Sequence, residues 1–226
     1  MTGVQTCALP IWLFWAGTQN NLGNAWRSML TGNRSANLEK AIACHEAALR
    51  VRTEQEFPQD WAGTQINLGN AWWSMPTGDR SANLEKAIAC YEAALRVFTE
   101  QEFPQVWAST QNNLGIAWWS MPTDDRSANL EKAIACYEEA LRVRTEQEFP
   151  QDWAGTQNNL GIAWSDLLTG NRSANLEKAI AYYEAALLVF TERGFPRQHR
   201  EVAENLSSAH VTLADLQTSG DTYPAE

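Results

Sequence analysis

Trp15, Trp61, Trp107 and Trp153 stand 46 residues apart, and Pro58, Pro104, Pro150 and Pro196 keep the same interval. A chain that repeats a unit of this length folds unit by unit, because each copy buries its apolar face against its neighbour rather than against itself. Residues 61–106 and 107–152 differ at only seven positions, so consecutive copies require nearly the same surroundings. The register divides the chain into an irregular N-terminal segment 1–14 and four repeats, 15–60, 61–106, 107–152 and 153–198. A single closing helix, 199–218, begins with His199 in the Trp register, and a frayed tail, 219–226, follows. Ten of the eleven tryptophans fall at repeated positions, so repetition accounts for the high Trp content.

Each repeat reads as two helices. In the second repeat the first helix is predicted from Pro58 to Met75, because Pro is tolerated in a first helical turn whose N–H groups have no intrahelical acceptor. Trp61, Thr64, Leu68, Trp72 and Met75 recur at steps of three and four and form one apolar stripe. Pro76-Thr77-Gly78-Asp79 breaks the helix, and Ser81 or Asn83 is the expected cap of the next one. That second helix sets Leu84, Ala87, Ile88, Tyr91, Ala94, Leu95 and Phe98 inward, with Glu92 and Arg96 paired outside one turn apart. No segment alternates with a period of two, so no sheet is expected. Trp26, Trp72, Trp118 and Trp164 lie in the stripe and read as core. Gly23, Gly69, Gly115 and Gly161 lie beside it in mid-helix, where Gly costs roughly 1 kcal/mol against Ala. Their recurrence predicts a neighbour packed too close to admit a Cβ.

The formal net charge of −10 argues against nucleic acid or an anionic membrane as partner, since phosphate binding needs a basic face. No apolar run approaches the ~20 residues of a membrane span. Cys44, Cys90 and Cys136 share one register too widely spaced for a disulfide and read as buried, inert thiols. His45, His199 and His210 lack the cysteine or carboxylate spacing of a metal site. No nucleophile–base set and no phosphate-cradling loop occurs, so neither an enzyme nor a cofactor is expected. Residues 7–16 are apolar, but 1–6 carry no Lys or Arg and Pro10 interrupts the run, which argues against export and for a cytoplasmic location. MTGVQTCALPI, residues 1–11, resembles the in-frame translation of a sequencing adapter. On that reading Cys7 has no role and the natural chain begins further upstream.

Leu22-Gly23-x-x-Trp26 with Ala41, His45 and Ala48 resembles the tetratricopeptide repeat. The pattern returns as Leu68-Gly69, Trp72, Ala87, Tyr91 and Ala94, as Leu114-Gly115, Trp118, Ala133, Tyr137 and Ala140, and as Leu160-Gly161, Trp164, Ala179, Tyr183 and Ala186. The usual unit has about 34 residues; the extra length falls in the turn around Thr77-Gly78-Asp79 and in the link between repeats. Gln19, Gln65, Gln111 and Gln157 stand where the family's early aromatic is expected. Long units with Thr-Gln-Asn-Asn-Leu-Gly cores are similar to kinesin light chain repeats, and more so to bacterial, often cyanobacterial, arrays beside caspase-like (CHAT) protease domains. The resemblance implies an all-α fold, a right-handed α-solenoid of antiparallel helix pairs with an extended concave groove.

On a helical wheel, the side of the second repeat's first helix opposite the stripe carries Gly63, Ile66, Asn67, Asn70, Trp73 and Ser74. The resemblance implies that this side lines the groove. Across the repeats the groove would then present Asn20, Asn21, Asn24, Asn67, Asn70, Asn112, Asn113, Asn158 and Asn159. Asn21, Asn67, Asn113 and Asn159 match the position where family members hold a peptide backbone. A carboxamide is both donor and acceptor, so it can pair with a peptide unit without a charge. Solvation or capping is the alternative use of these amides. Trp73 and Trp119 read either as apolar platforms in the groove or as side chains packed on the inner turn. The expected function is a protein–protein interaction module that binds a peptide or partner segment, a sensor or scaffold part of a larger bacterial protein. The alternative is a structural scaffold that self-associates weakly through its repeat ends, since head-to-tail contacts between near-identical units need not close.

Overall fold

The computed structural model describes residues 11–122 and 125–220. Residues 1–10 with Cys7, Thr123 and Asp124, and the tail from 221 lie outside the described residues. The described residues form nine helices and no strand: α1 (Ile11–Ser28), α2 (Arg34–Leu49), α3 (Pro58–Ser74), α4 (Arg80–Leu95), α5 (Pro104–Trp119), α6 (Arg126–Leu141), α7 (Pro150–Asp166), α8 (Arg172–Val189) and α9 (Pro196–Gly220). They divide into two compact units, Met1–Thr99 with α1–α4 and Glu100–Glu226 with α5–α9. Within each unit every helix packs on the next in sequence, and first helices of adjacent repeats also touch, α1 on α3, α5 on α7 and α7 on α9. This is the all-α stacked helix-pair architecture expected of the repeat. Ile11–Phe14, assigned to the irregular segment from sequence, are the first turn of α1, with Leu13 buried and Trp12 edge-on to Phe57 at 5.8 Å.

Four first helices begin at the recurrent prolines, 58, 104, 150 and 196; α3, α5 and α7 end at the turn, at Ser74, Trp119 and Asp166, whereas α9 runs on to Gly220. The second helices start differently from expectation. Their caps are Asn33, Asp79, Asp125 and Asn171, whose side chains accept from backbone N–H groups two or three residues on. Asn83 is instead buried and donates its Nδ2–H to Thr77 O at 2.9 Å, tying the turn to the helix. Asn37 and Asn175 do the same with Thr31 O and Thr169 O. The amide was diverted because the turn's carbonyls, folded over the helix start, need a buried donor. Gly78 sits in that turn at φ 81°, a left-handed conformation that a side chain would strain.

Antiparallel helix pairs close on small residues. A Cβ added to Gly69, Gly115 or Gly161 would lie 2.8, 2.6 or 2.5 Å from Cε1 of Tyr91, Tyr137 or Tyr183, and one added to Gly23 would lie 2.6 Å from the His45 ring. The recurrent mid-helix glycines therefore seat the rings of the second helices. Between repeats, Leu68 and Ala71 of α3 pack on Leu38, Ala41 and Ile42 of α2, and Leu160 and Ala163 of α7 on Leu130, Ala133 and Ile134 of α6.

Three sequence expectations change at this level. Trp26, Trp72, Trp118 and Trp164 are half-buried rather than core, and the ammonium of Lys40, Lys86, Lys132 or Lys178 lies 3.7–4.2 Å over each ring centroid. Each ring meets the core on one face and a cation on the other. Arg96 does not pair with Glu92. It forms a two-pronged contact with Glu54 of the preceding link, at 3.2 and 3.0 Å, above the Trp61 ring. Arg142 reaches Glu100 in the same register, at 2.8 Å. Of the three register cysteines, none of them in a disulfide, only Cys90 is buried, and burial together with Glu46 pushes its thiol up to about 12; Cys44 and Cys136 are half-buried.

Candidate functional site

The asparagine row sits where first helices of adjacent repeats run side by side. In the first unit Asn67 Nδ2 donates to Asn20 Oδ1 at 3.1 Å. In the second, Asn159 donates to Asn112 at 3.1 Å and Asn205 to Asn158 at 3.4 Å. The acceptor lies 47 residues before the donor in all three, so each donor amide reaches back one repeat and one residue further. Each such bond uses one N–H and one lone pair, and a carboxamide has four sites, so capacity for a ligand remains.

In the second unit Asn112, Asn158 and Asn159 line a polar depression of ≈ 300 Å³ together with Arg144, Gln151 and Glu201. The other row members are placed differently. Asn21 is exposed, Asn113 is half-buried, and Asn24 has its Oδ1 buried without a partner. Asn70 accepts from the Tyr91 hydroxyl at 2.8 Å, which ties it to its own helix pair. Trp73 and Trp119 lie at the turn end of their helices, beneath Arg80 at 6.0 Å and Arg126 at 5.6 Å. The Trp119 indole N–H donates to Asp166 Oδ2 at 2.9 Å, and Arg126 also reaches that oxygen, at 3.1 Å.

A further feature escaped the sequence reading. Positions 52, 98, 144 and 190 read Arg, Phe, Arg, Phe in one register. Phe98 and Phe190 are buried, as expected of an inner side chain. Arg144 is also buried, and its guanidinium donates to Thr156 Oγ1 at 2.9 Å and Ser109 Oγ at 3.2 Å. Desolvation lowers its pKa, against the opposing pull of Asp152. Arg52 repeats the motif on Thr64 Oγ1 at 3.0 Å and Asp60 at 3.4 Å. The alternation was the available signal, and it places a desolvated cation in the wall of the depression in the second unit.

Among the described residues no cluster of His, Cys, Asp and Glu has the grouping of a metal site, and no helix is long and apolar enough to cross a membrane. His199 and His210 share α9, as their spacing allowed. Comparison with known protein families and with curated proteins yields no match.

Proposed function

We propose that the chain is a tetratricopeptide-like interaction module that holds an extended peptide along the first helices, as the sensor or scaffold arm of a larger bacterial protein. The single observation behind this reading is the depression lined by Asn112, Asn158 and Asn159. It gathers three predicted amides around an uncharged row with spare donors and acceptors, and Arg144 adds a fixed positive charge beside them. A peptide backbone offers alternating C=O and N–H groups, and amides in register with it bind sequence-tolerantly. Peptides selected from a random phage-displayed library on the wild-type chain lose capture by the triple variant Asn112→Ala, Asn158→Ala, Asn159→Ala. Far-ultraviolet circular dichroism stays unchanged. Retained capture of every selected peptide by the triple variant sinks the groove reading.

A second reading, structural self-association, draws on α1. Leu22 is 43% exposed, whereas its register mates Leu68, Leu114 and Leu160 are buried. Ile11, Phe14 and Trp15 are exposed on the same helix. The head-to-tail form of this reading needs an open second-helix face as complement. α9 covers that face of α8 through Val202, Leu206, Ala209 and Leu213. Pairing of α1 with α1 is then the form to test. Sedimentation equilibrium over a wide concentration range gives dimers for the wild type and monomers for Phe14→Glu if it operates, and monomers for both if it does not.

A further inference from the structure

The two units solve one junction in different ways. At the α5–α6–α7 junction, Asp166 at the end of α7 places its carboxylate between the Trp119 indole N–H and the Arg126 guanidinium. The register-equivalent junction of the first unit, 92 residues earlier, has Arg34 in the place of Arg126 and Ser74 in the place of Asp166. Arg34 keeps the same anchor as its counterpart: its Nη1 donates to Arg27 O, as Arg126 Nη1 donates to Trp119 O. The carboxylate is missing, and Arg27 stands in the place of Trp119, whose indole N–H is the second donor to Asp166. In the carboxylate's stead Arg34, Ser74, Trp73 and Arg80 border an open recess of ≈ 530 Å³.

Arg80 approaches from the other side, anchored on Trp73 O and set over the Trp73 ring. Neither arginine has a carboxylate of the described residues within ion-pair distance. Asp79, adjacent to Arg80, is committed to capping Ser81 N and Ala82 N. Both arginines are also the first residues of α2 and α4, where the aligned peptide dipoles add positive potential. Two fixed guanidinium groups, a hydroxyl and the exposed edge of an indole thus converge on one space in a chain whose net charge is −10.

We propose that this recess binds a carboxylate presented by an acidic segment of a partner polypeptide, seated as the Asp166 carboxylate is seated in the equivalent junction. The internal carboxylate of the second unit is the built precedent for the ligand's chemistry: one oxygen shared by a guanidinium and an indole N–H, groups that Arg34, Arg80 and Trp73 offer around the recess. An Asp or Glu side chain supplies the planar, singly charged group that a guanidinium fork matches. The site lies at the turn end of the helix pairs and does not depend on the asparagine row.

The test uses a fluorescein-labelled hexaglutamate peptide and anisotropy at low ionic strength. Ser74→Asp provides the carboxylate from within and weakens peptide binding by about tenfold. Ser28→Asp, the same charge change in the same register one repeat earlier, leaves binding at the wild-type level. Asp166→Ser opens the second junction and raises the stoichiometry from one peptide to two. Equal weakening by Ser74→Asp and Ser28→Asp would mean bulk charge alone governs binding and overturns the proposal. So does displacement of the peptide by inorganic phosphate as readily as by acetate at matched ionic strength, since the site would then take any anion. Circular dichroism of each variant checks folding. The triple asparagine variant retains hexaglutamate binding, which separates failure of this site from failure of the groove.

Discussion

Gly161→Ala lowers the unfolding free energy by about 2 kcal/mol, the typical cost of forcing a methyl group into a packed core. The sign is the informative part. Ala is the better helix former by roughly 1 kcal/mol, so at an open helical site the same change stabilises. At Gly161 the new methyl would lie 2.5 Å from Tyr183 Cε1 and 2.6 Å from Cδ1, which are ring carbons of a buried side chain and cannot swing away. Gly155, on the same helix with open space around its Cβ position, is the internal control and gains stability on the same substitution. Removing only the hydroxyl with Tyr183→Phe gives no relief, because the clash is with the ring. Tyr183→Leu in the Gly161→Ala background relieves part of the overlap. Urea unfolding followed by circular dichroism measures all four, and a stabilised Gly161→Ala would show that the helix pair is not closed on this contact.

His45 makes the first unit sensitive to acid. It occupies the tyrosine register of the other repeats, is fully buried, and neither ring nitrogen has a partner. Desolvation, with Arg27 nearby, lowers its pKa from 6.5 to about 4. The unfolded chain takes up the proton near 6.5 and the folded chain only near 4, so the stability this neutral ring carries is complete above about pH 6.5. It is lost as the pH falls from there to 4, and the gap corresponds to on the order of 3 kcal/mol. His45→Tyr removes this loss. It also brings a hydroxyl to the buried, unpartnered Asn24 Oδ1, as the Tyr91 hydroxyl reaches Asn70 Oδ1 at 2.8 Å. The gain at neutral pH is about 1–2 kcal/mol for satisfying that acceptor. Urea midpoints at pH 7.5 and 4.5 test it. The difference between wild type and variant should widen on acidification, and a pH-independent difference refutes the assignment to His45.

The register of Trp, Pro, Gly and Leu carries the helix pairs and their stacking, because each position reports the same local contact four times over. The glycines were legible for the same reason: a costly residue at one register needs a steric cause, and the tyrosine and histidine rings are that cause. The caps were missed because Asn33, Asp79, Asp125 and Asn171 belong equally to the breaker and to the helix. Which of several short polar side chains bends back depends on the turn's path. Arg96 was misassigned to Glu92 because helical spacing makes one-turn neighbours obvious, whereas Glu54 comes within reach only when the preceding link folds against the pair.

By itself the sequence determined the all-helical repeat, its register and its close-packed seam, since these follow from local periodicity and steric size. Only the tertiary structure decided how the polar groups are used. Asn67 and Asn159 bridge to the preceding repeat, Asn70 serves its own helix pair, Trp119 holds Asp166, and Arg34 faces an open recess where Ser74 leaves out the acid. A hydrogen bond is directional and short-ranged, so a side chain's partner is fixed by the three-dimensional approach of helices distant in sequence.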